Sequence, residues 1–210
     1  MMEIGLFGGS FNPIHNGHIQ LAESIKDLLG LDEVWFVVSP QNPLKPANSL
    51  LDNKARLEMV DMALSSHSAL VSSDIEMTMP VPSYTSDTLK LLSQRHPNHR
   101  FTLLIGGDNW DCFYLWRNHE WILQHYRIAV YPRRSEHPET SSIGKGQAVN
   151  SPHCGVQAVA PSAGDVVFVD TPLLDISSTM VRNMVHSHQD ISGMVPPCVK
   201  EYIYHHGYYI

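Results

Sequence analysis

The stretch Gly8-Gly9-Ser10-Phe11-Asn12-Pro13-Ile14-His15-Asn16-Gly17-His18 follows directly on a short apolar run, Ile4-Gly5-Leu6-Phe7. This order predicts a strand, a glycine-rich turn and then a helix. Two glycines let the backbone approach a ligand closely and take positive φ where a turn needs it. A helix start presents free N–H groups and the positive end of its dipole, which favour an anion. His15 and His18 lie three residues apart, so they share one face of the first turn and can donate to phosphate oxygens. A lone Gly-Gly would be read as a connector. Eleven residues that bring glycines, donors and a helix start to one strand end point instead to a ligand site, as at the strand ends of open α/β sheets.

Outward from this stretch the pattern repeats. Ile19, Ala22, Ile25 and Leu29 recur at helical spacing over about Asn16 to Leu29, and Gly30 fits a C-terminal cap. Val34 to Val38 is a continuous apolar run, which predicts a strand covered on both faces, and the βαβ crossover is expected to be right-handed. Three prolines stiffen the loop Ser39 to Pro46, whose only charge is Lys45. Asp52 is expected to cap a helix to about Leu64, with Leu57, Val60 and Leu64 facing inward. A short third strand is expected within Ala69 to Ile75. A helix starting in the hydroxyl-rich Ser83 to Leu89 ends before Pro97.

Arg100 to Ile105 predicts the next strand, ending in Gly106-Gly107-Asp108, where Asp108 can accept from a ribose hydroxyl. Ile128 to Tyr131 follows, with Arg133 and Arg134 at its exit. Ser135 to Gly164 has no period and predicts a long surface loop, a β-excursion or partial disorder. Its His137, His153 and Cys154 match no standard metal-ligand spacing. Val166 to Val169 is the last strand. Ser177 or Ser178 caps the helix after it, and Arg182 one turn further in makes a second anion site. Pro196-Pro197 opens a final helix to about His206, with Tyr202, Tyr204, Tyr208 and Tyr209 read as packing or an oligomer contact. The expected fold class is α/β, Rossmann-like, with a mostly parallel central sheet and helices on both faces. One domain is expected over 1–210, with an irregular insertion at about 135–164 and a C-terminal helical segment at about 177–210.

Bulk properties narrow the function. With 210 residues, 43% hydrophobic and 17% charged, the chain is globular in composition. No apolar run approaches the ~20 residues of a membrane span. Its three cysteines are scattered, with no C-x-x-C, which points to a cytoplasmic protein without a disulfide framework. A net charge of −7 argues against nucleic-acid binding but permits a small polyanion in a local basic pocket. The expected partners are therefore small molecules, with no nucleic acid, no membrane and a possible homo-oligomer.

At Gly8 to His18 and Ile176 to Arg182 the chain resembles the nucleotidyltransferase superfamily. Its signatures are H/T-x-G-H after the first strand and a Ser/Thr-containing motif ending in Arg. Within it, the chain is similar to the bacterial nicotinate-nucleotide adenylyltransferase family. Gly8-Gly9-Ser10-Phe11-Asn12-Pro13, His15-Asn16-Gly17-His18, Pro43-Leu44-Lys45, Tyr84-Thr85-x-Asp87-Thr88-Leu89, Gly107-Asp108 and Ile176-Ser177-Ser178-Thr179-x-x-Arg182 occur in family order. There are departures. A histidine before the lysine is replaced by Leu44, and Arg117 stands where the family often has Tyr.

The resemblance implies transfer of AMP from ATP to nicotinate mononucleotide, giving deamido-NAD and pyrophosphate, with Mg²⁺ accompanying ATP and no tightly bound cofactor. It implies catalytic roles for His15, His18, Lys45 and Arg182. It places Gly8, Gly9, Ser10, Phe11, His15, His18, Asp108, Ile176, Ser177, Ser178 and Arg182 at ATP. It places Asn12, Lys45, Tyr84, Thr85, Asp108, Trp116, Arg117 and Arg133 at the mononucleotide, with the Trp116 indole stacked on its ring. A protein-held metal site is not implied. Other readings remain open: nicotinamide mononucleotide or another phosphorylated acceptor, or a nucleotide-binding sensor without catalysis. Pyrophosphate release with each acceptor separates them.

Overall fold

A computed structural model describes residues 1–40, 50–132, 164–172 and 175–210. Six strands form one sheet: β1 Met2–Gly9, β2 Glu33–Val38, β3 Leu70–Ser73, β4 His99–Gly106, β5 Arg127–Tyr131 and β6 Val166–Phe168, in the order β3-β2-β1-β4-β5-β6. Every pairing among them is parallel. The strand order reverses between β1 and β4, so the crevice outside their C-terminal ends is a topological switch point.

Side chains alternate along each strand and supply two cores. Phe7, Val34, Phe36, Val38, Leu104 and Ala129 face helices α1 (Asn16–Leu29), α2 (Asn53–Leu64), α6 (Ser178–His186) and α7 (Pro197–His206). Ile4, Leu6, Val37, Leu103, Ile105 and Ile128 face α3 (Thr85–Arg95) and α5 (His119–His125) on the other side. Helices therefore cover both faces, as the apolar runs predict. The Gly106-Gly107 pair departs from expectation: Gly106 ends β4 and Gly107 opens a short helix, α4 (Gly107–Asp111).

Local signals account for most helix ends. Gly30 takes the left-handed conformation at φ 65° and closes α1. Asp52 accepts from Lys54 N–H at 2.9 Å and caps α2. Of the two serines before α6, Ser177 is the cap, accepting from Met180 N–H at 3.1 Å.

The inner face of α2 differs from the prediction. Leu57 is only partly buried, whereas Arg56 is fully buried beside Met59 and Val60. All five of its N–H donors are used. Nε donates to Leu51 O at 3.1 Å, Nη1 to Ser10 O at 2.5 Å and Ser39 O at 2.9 Å, and Nη2 to Pro40 O at 3.2 Å and Asn53 Oδ1 at 2.5 Å. Burial pushes the guanidinium below its ordinary pKa, opposed by nearby Asp52. The charge survives because every donor is satisfied.

The C-terminal segment clasps the turn after β1. Asn16 N–H and Nδ2 donate to Met194 O and Gly193 O, both at 2.8 Å. Ser178 Oγ donates to Pro13 O and Arg182 Nη1 to Asn12 O, both at 2.8 Å. Tyr209 donates its hydroxyl to Asn12 Oδ1 at 2.8 Å, and burial raises the tyrosine's pKa. Of the aromatic tail, Tyr209 therefore packs within its own chain, whereas Tyr204 is exposed.

Two predictions follow from these contacts. Replacing Arg56 by Ala strands five acceptors and is expected to cost about 3–4 kcal/mol in urea unfolding. Arg56→Lys, lacking the planar fork, is expected to recover only part of it; a loss under about 1 kcal/mol for the alanine variant would contradict the role. Separately, hydrogen bonds from Lys200 and Ser192 hold the Asp190 carboxyl down at about 2. That value lies below the unfolded one, so the contribution to stability is present above about pH 4 and is lost as pH falls towards 2. A carboxyl NMR titration is expected to give the low midpoint for Asp190; a midpoint near 4 would remove the effect.

Candidate active site

β1 ends in Gly8 and Gly9, and neither takes positive φ. The left-handed residue of the turn is Phe11, at φ 43°, a conformation that costs a residue with a Cβ about 1–2 kcal/mol. Burial of its ring offsets this cost. Phe11 is 2% exposed and packs against Phe7, Phe36 and His18 at centroid distances of 5.6, 5.3 and 5.1 Å. Gly9 is needed for that packing, since a Cβ there would meet Phe11 Cζ at 2.9 Å. Gly8 differs: a Cβ would meet nothing within 4 Å, so its surface is open to a ligand.

The turn delivers two imidazoles. His15 is the N-cap residue of α1 and His18 its third residue. Their rings stack with centroids 3.6 Å apart. His18 Nδ1 accepts from His15 N–H at 3.3 Å. A neutral ring that accepts at Nδ1 carries its proton on Nε2. Gly17 has a steric reason to be glycine: a Cβ would lie 3.0 Å from His15 Nδ1 and 3.7 Å from Ile176 O. The segment before α6 is thus brought against the start of α1. His15, His18, Ile176, Ser178 and Arg182 converge there, with Ser178 and Arg182 bonded to the Asn12-Pro13 backbone.

A cavity of about 170 Å³ opens at the ends of β1 and β4, lined by the Gly8-Gly9-Ser10 start of the same turn. Its wall includes Gly8, Gly9 and Ser10 on one side and Tyr84, Thr85, Trp116 and Arg117 on the other. It is smaller than the usual 300–1,000 Å³ ligand pocket and is about the size of one ring. The Trp116 indole is tilted over Phe113 at 5.2 Å. Its Nε1–H is buried and has no acceptor among the described residues. The Arg117 guanidinium lies 4.9 Å from the Tyr84 ring centroid and 3.7 Å from Asp87 Oδ2.

Several expectations are redistributed. Asn12 is 1% exposed, and its Oδ1 is taken by Tyr209 and by Leu51 N–H at 3.2 Å, so it braces the turn from behind. Ser177 spends its hydroxyl on capping α6. Asp108 stands exposed in the first turn of α4 on the same sheet edge, and Asn109 rather than Asp108 lines the cavity. Lys45, Arg133, Arg134, His137, His153 and Cys154, with residues 41–49 and 133–163 as a whole, lie outside the described residues. Among the described residues, no three His, Cys, Asp or Glu side chains group as a metal site, and no helix is long and apolar enough to cross a membrane.

Sequence reading missed Arg56 and also Glu76, a buried carboxylate in the cavity wall. Arg56 was findable, because it lies three, four and seven residues before Met59, Val60 and Ala63 on one apolar face. Glu76 carries no such signal. For the histidine pair, Gly17→Ala is expected to displace the His15 ring by a few tenths of an ångström. Shifted His15 and His18 imidazole resonances and at least about fivefold weaker triphosphate binding, or ~1 kcal/mol, are expected; unchanged binding would show that the ring position is not critical.

Comparison with known proteins agrees with this geometry. Residues 6–184 match the cytidylyltransferase-like family. A probable nicotinate-nucleotide adenylyltransferase of Cytophaga hutchinsonii is 44% identical over 208 residues, covering 99% of this chain and 98% of its own. A protein of the same description from Flavobacterium johnsoniae is 39% identical over 208 residues, covering 99% of both chains. The solved Plasmodium falciparum nicotinic acid mononucleotide adenylyltransferase complexed with NaAD superposes with a TM-score of 0.73 at 21% identity, covering 100% of this chain and 98% of that one. This last likeness supports the fold. With full-length identity to the bacterial relatives and the stacked histidines, switch-point cavity and α6 start in place, the chain belongs to the nicotinate-nucleotide adenylyltransferases of the cytidylyltransferase-like family.

Proposed function

We infer that the chain transfers the adenylyl group of ATP to nicotinate mononucleotide, giving deamido-NAD and pyrophosphate. The observation that carries this reading is the adjacency, on one sheet edge, of a ring-sized cavity and a cluster of phosphate donors. The mononucleotide phosphate attacks the α-phosphorus of ATP in line. A bond forms from the acceptor oxygen to that phosphorus as its bond to the β-bridging oxygen breaks, and pyrophosphate leaves with the electron pair. Catalysis is then positioning and charge stabilisation, with no protein nucleophile.

In this reading ATP arrives as its Mg²⁺ complex. His18 Nε2–H donates to the transferring phosphoryl group, and His15 supports it through the stacked ring. Arg182 and the N–H groups at the start of α6 hold the leaving pyrophosphate, with Lys45 as a further phosphate contact. Gly8 allows close approach of the nucleotide, and Asp108 takes a ribose hydroxyl. The nicotinate ring enters the cavity beside Trp116. Its carboxylate meets the start of α3 at Thr85, the Trp116 Nε1–H and the Arg117 guanidinium. These are donors or positive ends, so they favour an acid over an amide. Arg133 completes the mononucleotide side. The substrates are small molecules of the cytoplasm, where we place the enzyme.

The test is a pyrophosphate-release assay on nicotinate and nicotinamide mononucleotides side by side, with ATP. Higher kcat/KM for the acid is expected, and equal rates or a preference for the amide would overturn the assignment. His18→Ala is expected to lower kcat about 10²–10³-fold, or ~2.7–4 kcal/mol, by analogy with losing one preorganised donor. Its thermal unfolding should stay close to that of the parent; normal turnover in the folded variant would remove His18 from the mechanism.

A further inference from the structure

The acceptor cavity contains a carboxylate that the reaction does not use. Glu76 belongs to a short 3-10 turn, Ile75–Thr78, between β3 and α3. It is 6% exposed and forms part of the cavity wall. Among the described residues no ion pair to it is found. Its two oxygens are instead held by hydroxyls: Ser83 Oγ donates to Oε2 at 2.7 Å and Thr88 Oγ1 to Oε1 at 2.8 Å. A buried acid satisfied by two neutral donors is costly to keep, which calls for a reason beyond packing.

The partners supply that reason. Ser83 and Thr88 bracket Tyr84 and Thr85 in sequence, and all four residues line the cavity. α3 begins at Thr85, and its N-cap residue, Tyr84, makes no side-chain cap bond. In an ordinary cap, the side chain before the helix occupies a first-turn N–H. Here the first turn is held from outside instead. Glu76 grips residues on both sides of the helix start, and Thr88 Oγ1 also lies 3.2 Å from Tyr84 O. The grip uses side-chain hydroxyls only; Asp87 N–H is spent on Tyr84 O at 2.8 Å, so the first-turn N–H groups left for a ligand are those of Thr85 and Ser86. The same turn carries the stack of Arg117 on Tyr84 and the bond from Asn118 Nδ2 to Ser86 Oγ at 3.3 Å. The Trp116–Asn118 wall is therefore tied to the segment that Glu76 holds.

We propose that Glu76 is a positioning residue for the acceptor mononucleotide, acting through Ser83 and Thr88 to set the Tyr84–Thr85 helix start and the adjoining Trp116–Arg117 wall. It touches neither reacting group. The proposal rests on the acceptor site assigned above. It distinguishes the two halves of the active site, since the stacked histidines and Arg182 lie on other elements, braced by other contacts.

Steady-state kinetics of the full chain test it, with each substrate varied in turn. Glu76→Ala is expected to raise KM for nicotinate mononucleotide about tenfold, the loss of roughly one buried hydrogen bond, while KM for ATP and kcat stay within about twofold. Glu76→Gln is expected to recover most of the affinity. An amide can accept from one hydroxyl and donate to the other, so it keeps the grip without the charge. An unchanged acceptor KM, an equal rise in both KM values, or a glutamine variant as poor as alanine would overturn the proposal. If Glu76→Ala does not fold, Ser83→Ala and Thr88→Val each release one side of the grip and should show the same split in smaller measure; normal values in both would also overturn it. Calorimetric binding of nicotinate mononucleotide and of ATP to the parent chain keeps the two readings apart. A parent that binds the mononucleotide but does not release pyrophosphate contradicts the assigned reaction, and the Glu76 variants are then compared by mononucleotide Kd with the same expected split.

Discussion

A guanidinium with no solvent contact ties together three pieces of chain that meet nowhere else in sequence. Arg56 binds the carbonyl of Ser10 after β1, those of Ser39 and Pro40 after β2, and the lead-in to α2 at Leu51 and Asn53. Loops at strand ends carry polar backbone groups that need partners once covered. A single planar fork with five donors meets that need at one point. The consequence reaches function, because this side chain, with the bond from Ser39 N–H to Gly9 O at 2.9 Å, sets the Gly8–His18 turn and the loop leaving β2 relative to each other.

The same turn is braced from the opposite end of the chain. Asn12, Pro13 and Asn16 are held by Tyr209, Arg182, Ser178 and the Gly193-Met194 backbone. Such bracing explains how Phe11 persists in a left-handed conformation and how two imidazoles are held stacked. Strained residues survive where the surroundings over-determine them, and active sites are where they gather. Arg182 holds the turn through Nη1 to Asn12 O, and its Nη2 donates to Thr179 Oγ1 at 3.2 Å.

In the proposed reading the two halves of the site are built on different principles. The phosphate side uses a helix start, stacked rings and an arginine, all gathered on the face packed by α1, α6 and α7. The acceptor side uses a hydroxyl-bracketed helix start and an aromatic wall on the face packed by α3 and α5. Parallel strand order 3-2-1-4-5-6 opens a crevice between those faces only at β1 and β4, and both halves meet there. Gly8, at the end of β1, has open space where its Cβ would be.

The architecture was largely readable along the chain, because its signals are local. The continuous apolar run Val34–Val38 and the mostly apolar Phe101–Ile105 mark buried strands, and Gly30, Asp52 and Ser177 mark helix ends within one turn of where they act. Periodicity also held the Arg56 signal, although a charged residue on an apolar face reads first as an interruption. What the sequence by itself determined, then, is the order and type of elements and the residue types delivered to one sheet edge. The tertiary structure alone decided which polar groups are spent on holding the fold and which stay free for chemistry. Asn12, Ser177 and Ser178 also hold the fold, through Tyr209, the α6 backbone and Pro13, and Glu76, which gave no sign in sequence, accepts from Ser83 and Thr88. The physical reason is range. A helix cap or a buried face is set by neighbours a few residues away, whereas the partner that satisfies a buried hydroxyl, amide or guanidinium can lie anywhere along the chain, and only folding brings it within hydrogen-bond distance.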